Sequence, residues 1–240
     1  SGIIEFSTNK LGLRKVSGQS LDKDIQLVTL GDSYTEGACV DNPDDITSQL
    51  SESLDLNALN LGRFGTGPLF QLAILRELRV FSEYKNINFG DEPKLIWIIT
   101  TANDLMNTVE EKSTSLSDYF LQPNHHENYF QELMAGNKLS SMKAFYDEVI
   151  SKPKANQKVG DHGFAETLSL GSITEQNAIA DFIKIVELIK AESDLMKLEL
   201  IVVSLENKYK VAPSRYSMLA MQKAIEFACN KSNLNCLKYD

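Results

Sequence analysis

The chain has 240 residues, 42% of them apolar and 24% charged, with 13 Gly and 6 Pro. These proportions exclude a collagen-like, low-complexity or wholly disordered chain, and no apolar run reaches the roughly 18 residues that a membrane-spanning helix needs. A net charge of −9 argues against duplex nucleic acid as a partner, because phosphate binding requires clustered Lys and Arg.

Residues 25–30, Ile-Gln-Leu-Val-Thr-Leu, form a short β-rich run ending at Gly31. Residues 45–54 suit a short helix. The segment 41–55 carries Asp41, Asp44, Asp45, Glu52 and Asp55 with no basic residue, so it reads as a face that repels anions. A second strand-like run over 56–61 ends at Gly62. Pro68 then opens a helix to about residue 82, Pro being well placed at a first helical position. Along it Leu69, Leu72, Leu75 and Leu78 repeat at helical spacing. Residues 95–100, Leu-Ile-Trp-Ile-Ile-Thr, are almost wholly apolar, the mark of a strand buried on both faces of a parallel sheet.

The stretch 105–170 is polar and irregular and reads as a long insertion or lid. Ser172 and Glu175 make a capping-box pattern. The helix that follows aligns Ile179, Phe182, Ile183, Val186 and Ile189 on one stripe. Residues 198–204 give another buried strand, Ser214 caps a helix carrying Met218, Met221, Ile225 and Ala228 on one face, and Cys236 to Tyr239 reads as a last strand. Strands alternating with helices predict a parallel sheet covered by helices on both faces, in one domain over residues 1–240.

The three cysteines, Cys39, Cys229 and Cys236, form no CxxC pair. Cys229 and Cys236 pair only if folding brings them together. Free buried thiols are the expectation, which leaves the redox compartment undecided. The Ser1-Gly2 start reads as a processed or trimmed product.

Ligands of open parallel sheets sit beyond the carboxyl ends of the strands. The segments there are Gly31-Asp32-Ser33-Tyr34-Thr35-Glu36-Gly37, Asn60-Leu61-Gly62-Arg63-Phe64-Gly65 and Thr101-Ala102-Asn103-Asp104. Acyl transfer needs a nucleophilic hydroxyl and donors aimed at a developing oxyanion. Ser33, at a strand-to-helix turn, can present the hydroxyl. Its own N–H, the Gly62 N–H and the Asn103 amide can supply the donors. The competing interpretation is a plain strand-to-helix turn with Asp32 or Ser33 as its cap.

These three blocks resemble those of the SGNH, or GDSL, hydrolase family. Gly31-Asp32-Ser33 matches the first block, Gly62 the glycine of the second, and Asn103-Asp104 the third, with Thr101 in place of that block's glycine. The lead-in from Asn9 to Arg14 and the stretch from Gly67 to Leu78 look like bacterial members associated with surface polysaccharide. The resemblance implies a flavodoxin-like three-layer α/β/α fold with a five-stranded parallel sheet. It also implies a serine esterase, lipase or acyltransferase with no metal or organic cofactor.

Within that resemblance the substrate is expected to be a small-molecule or carbohydrate ester, most concretely an O-acyl group on a sugar. An O-acyltransferase and a non-catalytic carbohydrate-binding or scaffolding domain are the alternatives. The family setting suggests a bacterial, extracytoplasmic protein, periplasmic or anchored through a removed N-terminal segment. Oligomeric state is left open.

The family's Asp-x-x-His block is not found, and is expected after Asp240. His125 and His126 read as solvated loop residues, and His162 is the in-chain candidate for a substitute base. Arg63 and Arg14 are candidates for an acidic substrate group, with surface salt bridges as their expected fate. Trp97 reads as core, Cys39 as a small packed residue, and Asp104 as a cap or as a support for Asn103.

Overall fold

The computed structural model describes residues 4–85, 87–101, 104–112, 173–205 and 215–239. In chain order the elements are β1 (Ile25–Leu30), α1 (Ser33–Glu36), α2 (Ile46–Leu54), β2 (Ala58–Asn60), α3 (Pro68–Lys85), β3 (Phe89–Thr100), α4 (Asp104–Lys112), α5 (Ile173–Leu195), β4 (Glu199–Leu205), α6 (Arg215–Lys231) and β5 (Asn235–Tyr239). The five strands form one sheet in the order β2-β1-β3-β4-β5, and every pairing is parallel. Helices cover both faces, so the fold is the expected three-layer α/β/α sandwich.

Side-chain alternation sends successive strand residues to opposite layers. Val28 and Leu30 of β1, Leu59 of β2, Leu95, Trp97 and Ile99 of β3, and Leu200 and Val202 of β4 enter one core with α3, α5 and α6. Leu27 and Ala58 face the other way, against Val16 and Leu50 of α2. The four leucines at helical spacing in α3 are all buried in the larger core. Trp97 is fully buried. It stacks on Phe182 at 6.1 Å between ring centroids, and its indole N–H donates to Gln71 Oε1 at 2.6 Å. It is core, as expected.

An ion triad fixes α3 against α5. Arg76 Nε and Arg79 Nε donate to the two carboxylate oxygens of Glu192, each at 2.9 Å, with Arg76 and Glu192 both buried. Burial pushes the Arg76 guanidinium below its ordinary value against the opposing pull of Glu192. Such a group is tolerated in a core only when paired.

The structure changes several sequence expectations. The third strand starts at Phe89, six residues before the apolar run, because Phe89 pairs with Ile25 and a register shift follows before Lys94 pairs with Leu27. The insertion does not begin at 105: Asp104–Lys112 is a helix packed on α3 and α5, one of its ties being the ion pair from Lys112 to Asp181. Residues 113–172, which hold the rest of the expected insertion and Ser172, lie outside the described residues, as does Ser214. Cys229 and Cys236 are not free thiols. They form a disulfide with Cα atoms 6.2 Å apart, because the turn after α6 brings the strand back beside the helix end. Cys39 is exposed, not packed.

The disulfide closes a loop of separation seven, and chain-entropy arguments assign about 2–3 kcal/mol to a loop of that size. Replacing Cys229 and Cys236 by alanine should lower the unfolding free energy by that amount in urea titrations. Alkylation of the unfolded, unreduced chain should label Cys39 alone, and all three cysteines only after reduction.

Candidate functional site

In a sheet of order 2-1-3-4-5 the chain leaves β1 and β3 toward opposite faces, which opens a crevice beyond their carboxyl ends. Ser33 follows β1 and Asp104 follows β3, so both stand at this switch point. The strand-to-helix turn after β1 is built by Asp32, the N-cap of α1, whose carboxylate accepts the Tyr34 N–H at 2.9 Å. Ser33 is therefore the first helical residue and is half-buried. Among the described residues neither its hydroxyl nor its N–H is engaged in a hydrogen bond. The short helix ends at Gly37 in the left-handed region, φ 75°, where glycine carries no Cβ penalty.

The loop after β2 is drawn against α1. Gly62 is required there by space: a Cβ on it would lie 2.2 Å from the Glu36 nitrogen and 2.5 Å from the Thr35 carbonyl carbon. Its N–H donates to Asn60 Oδ1 at 2.7 Å. The same Asn60 side chain donates through Nδ2 to the Thr35 carbonyl at 2.9 Å and to Asp45 Oδ1 at 3.4 Å. Arg63 N–H donates to the Gly31 carbonyl at 3.1 Å and Phe64 N–H to Glu36 Oε2 at 2.7 Å. The structure thus brings Ser33 and Gly62 to one locus. It also gives Gly62 a packing role that its sequence pattern did not reveal.

Asp45 and Arg14 form the support behind this locus. Asp45 is buried, so it does not belong to the anion-repelling face expected for 41–55, whereas Asp41 and Asp44 are exposed. It caps α2 by accepting the Ser48 N–H at 3.0 Å and the Ser48 hydroxyl at 2.6 Å. Arg14 is neither a surface salt bridge nor a ligand for substrate. Its buried guanidinium lies 3.5 Å from the Asp45 carboxylate. It donates to the Gly37 carbonyl at 2.5 Å, the Val40 carbonyl at 2.9 Å and Asn42 Oδ1 at 2.9 Å. Five donors in a planar fork suit this spreading of contacts over a loop.

Two carboxyls join the site from α4: Asp104, which the third sequence block puts at this edge, and Glu111, which falls within the expected insertion. Asp104 is fully buried and its Oδ2 accepts the Thr100 N–H at 2.7 Å, closing the turn after β3. Burial first, then the nearby Asp32 carboxylate, holds the Asp104 carboxyl well above the usual range, and the Thr100 bond only partly opposes this. Glu111 caps the start of α3 from a different helix. Its carboxylate accepts N–H groups from Gly67 at 2.5 Å, Leu69 at 3.0 Å and Phe70 at 3.3 Å. Those are orphan donors of a helix N-terminus. Burial pushes Glu111 up to about 8 in spite of these bonds.

Asn103, His125, His126 and His162 lie outside the described residues. Among the described residues no group of three or more His, Cys, Asp or Glu is placed to hold a metal ion, and no helix is long and apolar enough to cross a membrane.

No protein-family model matches the chain, and no curated protein matches it. Among solved structures, a serine-to-alanine mutant of the esterase AlinE4 aligns with a TM-score of 0.46 at 11% identity, over 90% of this chain and 77% of that one. AlinE4 itself, described as an SGNH-hydrolase family esterase, aligns with a TM-score of 0.45 at 12% identity and the same coverage. Similarity this slight transfers no activity to this chain.

Glu111 makes a pH-dependent contribution whose sign is fixed by the direction of its shift. Its folded value of about 8 lies above the ordinary 4.5, so the folded state retains a proton that the unfolded state gives up. The associated stability is fully present below about pH 4.5 and is lost as pH rises through about 8. In Glu111→Gln the amide oxygen still accepts from α3 but does not titrate. The unfolding free energy of the parent relative to E111Q, measured in urea at several pH values from 5 to 8.5, should therefore fall as pH rises. A difference independent of pH would remove the proton from Glu111.

Proposed function

We propose that the chain is a serine esterase of the SGNH/GDSL type, hydrolysing an O-acyl group carried by a carbohydrate. The observation that carries this reading is Ser33 itself: a half-buried serine at the switch point, first residue of a helix, with hydroxyl and N–H both unengaged among the described residues. The unengaged Ser33 N–H leaves one backbone donor beside the hydroxyl, which suits a hydroxyl whose acyl adduct carries an oxyanion.

In the proposed reaction the Ser33 Oγ attacks the acyl carbonyl and gives its proton to a histidine. The tetrahedral oxyanion is held by the Ser33 N–H and the Asn103 amide, with the Gly62 N–H shared between Asn60 Oδ1 and the substrate. Collapse expels the sugar alcohol, which takes the proton, and water then releases the acid from Ser33 by the same route in reverse. The histidine is sought among residues outside those described, His162 being the in-chain candidate.

The Cys229–Cys236 bond supports a compartment outside the bacterial cytoplasm, where disulfides persist.

Ser33→Ala should abolish turnover of p-nitrophenyl acetate while leaving circular dichroism and thermal melting unchanged. Activity equal to the parent would take Ser33 out of the mechanism. Asn103→Ala should lower kcat by about 10²–10³, the usual effect of losing one oxyanion donor, with a smaller change in KM. A change confined to KM would make Asn103 a substrate-binding residue instead.

A further inference from the structure

Two asparagines bracket β2, and the side-chain amide of each is bonded within the chain. Asn57, just before the strand, donates through Nδ2 to the Ser20, Lys23 and Asp24 carbonyls at 2.8, 3.2 and 3.1 Å and accepts the Ser20 N–H at 3.1 Å. Those contacts lie where the strands begin, at the far end of the sheet from Ser33. Asn60, the last residue of β2, is fully buried. Its Nδ2 donates to the Thr35 carbonyl at 2.9 Å, and its Oδ1 accepts the Gly62 N–H at 2.7 Å. One planar amide therefore joins the helical turn that carries Ser33 to the loop that carries Gly62.

The bond to Gly62 alone does not require an amide. A side-chain oxygen accepting the N–H two residues on is a local turn that Asp makes as readily as Asn. What Asp lacks is Nδ2, the group that reaches Thr35, two residues after Ser33, and Asp45 Oδ1 at 3.4 Å. A carboxylate at position 60 would keep the turn but face the Thr35 carbonyl and Asp45 with no proton to give. Gly62 is also pressed against the backbone of Thr35 and Glu36, so a shift of α1 is passed to the loop.

We infer that Asn60 is a positioning residue for the reaction at Ser33: its amide sets the Ser33 N–H and the Gly62 N–H in the mutual position at which both meet one oxyanion. This rests on the proposed esterase reading and deepens it by naming the residue that assembles the donors. Asn60 touches no reacting atom and acts through these two backbone groups.

The test compares Asn60→Asp with Asn57→Asp on p-nitrophenyl acetate. N60D should lower kcat about 10²-fold, the scale of a misplacement near 1 Å, and change KM less than about twofold, as for an interaction made in the transition state. N57D, which disturbs a similar clamp at the other end of the sheet, should lower the melting temperature and leave kcat near the parent's. The exchange D45N/N60D keeps one amide and one carboxyl in the buried pair, and Asn caps a helix as well as Asp. It should regain stability yet keep the low kcat, because the Thr35 carbonyl still lacks its donor. Equal kcat losses in N57D and N60D, or parental kcat in the exchange, overturn the positioning role.

A second arm needs no turnover. In ¹H–¹⁵N spectra N60D should shift the amide signals of both Ser33 and Gly62, and N57D neither. A Ser33 signal unmoved in N60D, beside turnover that depends on Ser33, overturns the inference and keeps the nucleophile. Undiminished turnover in Ser33→Ala overturns the esterase reading, and the two amide signals then decide alone whether Asn60 sets the donors.

Discussion

One buried amide holds the candidate site together. Asn60 lies at the end of β2, and its side chain reaches three separate pieces of chain: the Thr35 carbonyl of α1, the Asp45 carboxylate that caps α2, and the N–H of Gly62. None of these is local to the others in sequence, so the amide sets the relative position of the turn after β1, the loop after β2 and the start of α2. Asp45 extends the same network to Arg14, which carries it into the loop after α1. A buried polar network of this kind is favourable only when every member is satisfied. Gly62 completes it sterically, since any side chain there would collide with α1.

The switch point is also where the fold buries acid. Asp32, Asp104 and Glu111 are all buried, and each carboxyl binds backbone N–H groups at a strand end or helix start. Those bonds offset part of the desolvation cost. For Asp104 and Glu111 burial still wins, and both are driven toward the protonated form. The upward push on Asp104 comes first from its burial and then from the Asp32 carboxylate of the turn that carries Ser33.

Much of this arrangement is written in local sequence. The apolar run 95–100 and the leucine spacing after Pro68 depend on neighbouring residues alone, and both elements are where the pattern puts them. The site's glycines and Ser33 are legible because strand-to-turn boundaries are. What escaped was long-range. Asp45 looks like one more surface acid until Arg14, 31 positions earlier, is packed against it. Glu111 looks like part of a polar insertion until its carboxylate meets a helix start 41 to 44 residues away. The Cys229–Cys236 pair could not be inferred from spacing, because only the turn after α6 decides whether the two sulfurs meet. Thr101 and the Asp104 turn were visible as a motif, but the upward push on the Asp104 carboxyl follows from burial and from Asp32, neither of which sequence supplies.

The residues that hold the fold and those proposed to act are largely different sets. Asn60, Asp45, Arg14 and Glu111 are buried and bonded, and fix the loops without offering a group to a ligand. Ser33 does the reverse: its hydroxyl has no partner among the described residues. Natural sequences agree with their fold at most positions and depart from it where function requires. Here the proposed nucleophile stands at the crevice that the strand order creates. Gly62 belongs to both sets, since its missing side chain lets the loop close on α1 while its N–H faces Asn60 beside the serine. The closeness that makes glycine obligatory for packing is also what brings a second backbone donor to the locus of the proposed nucleophile.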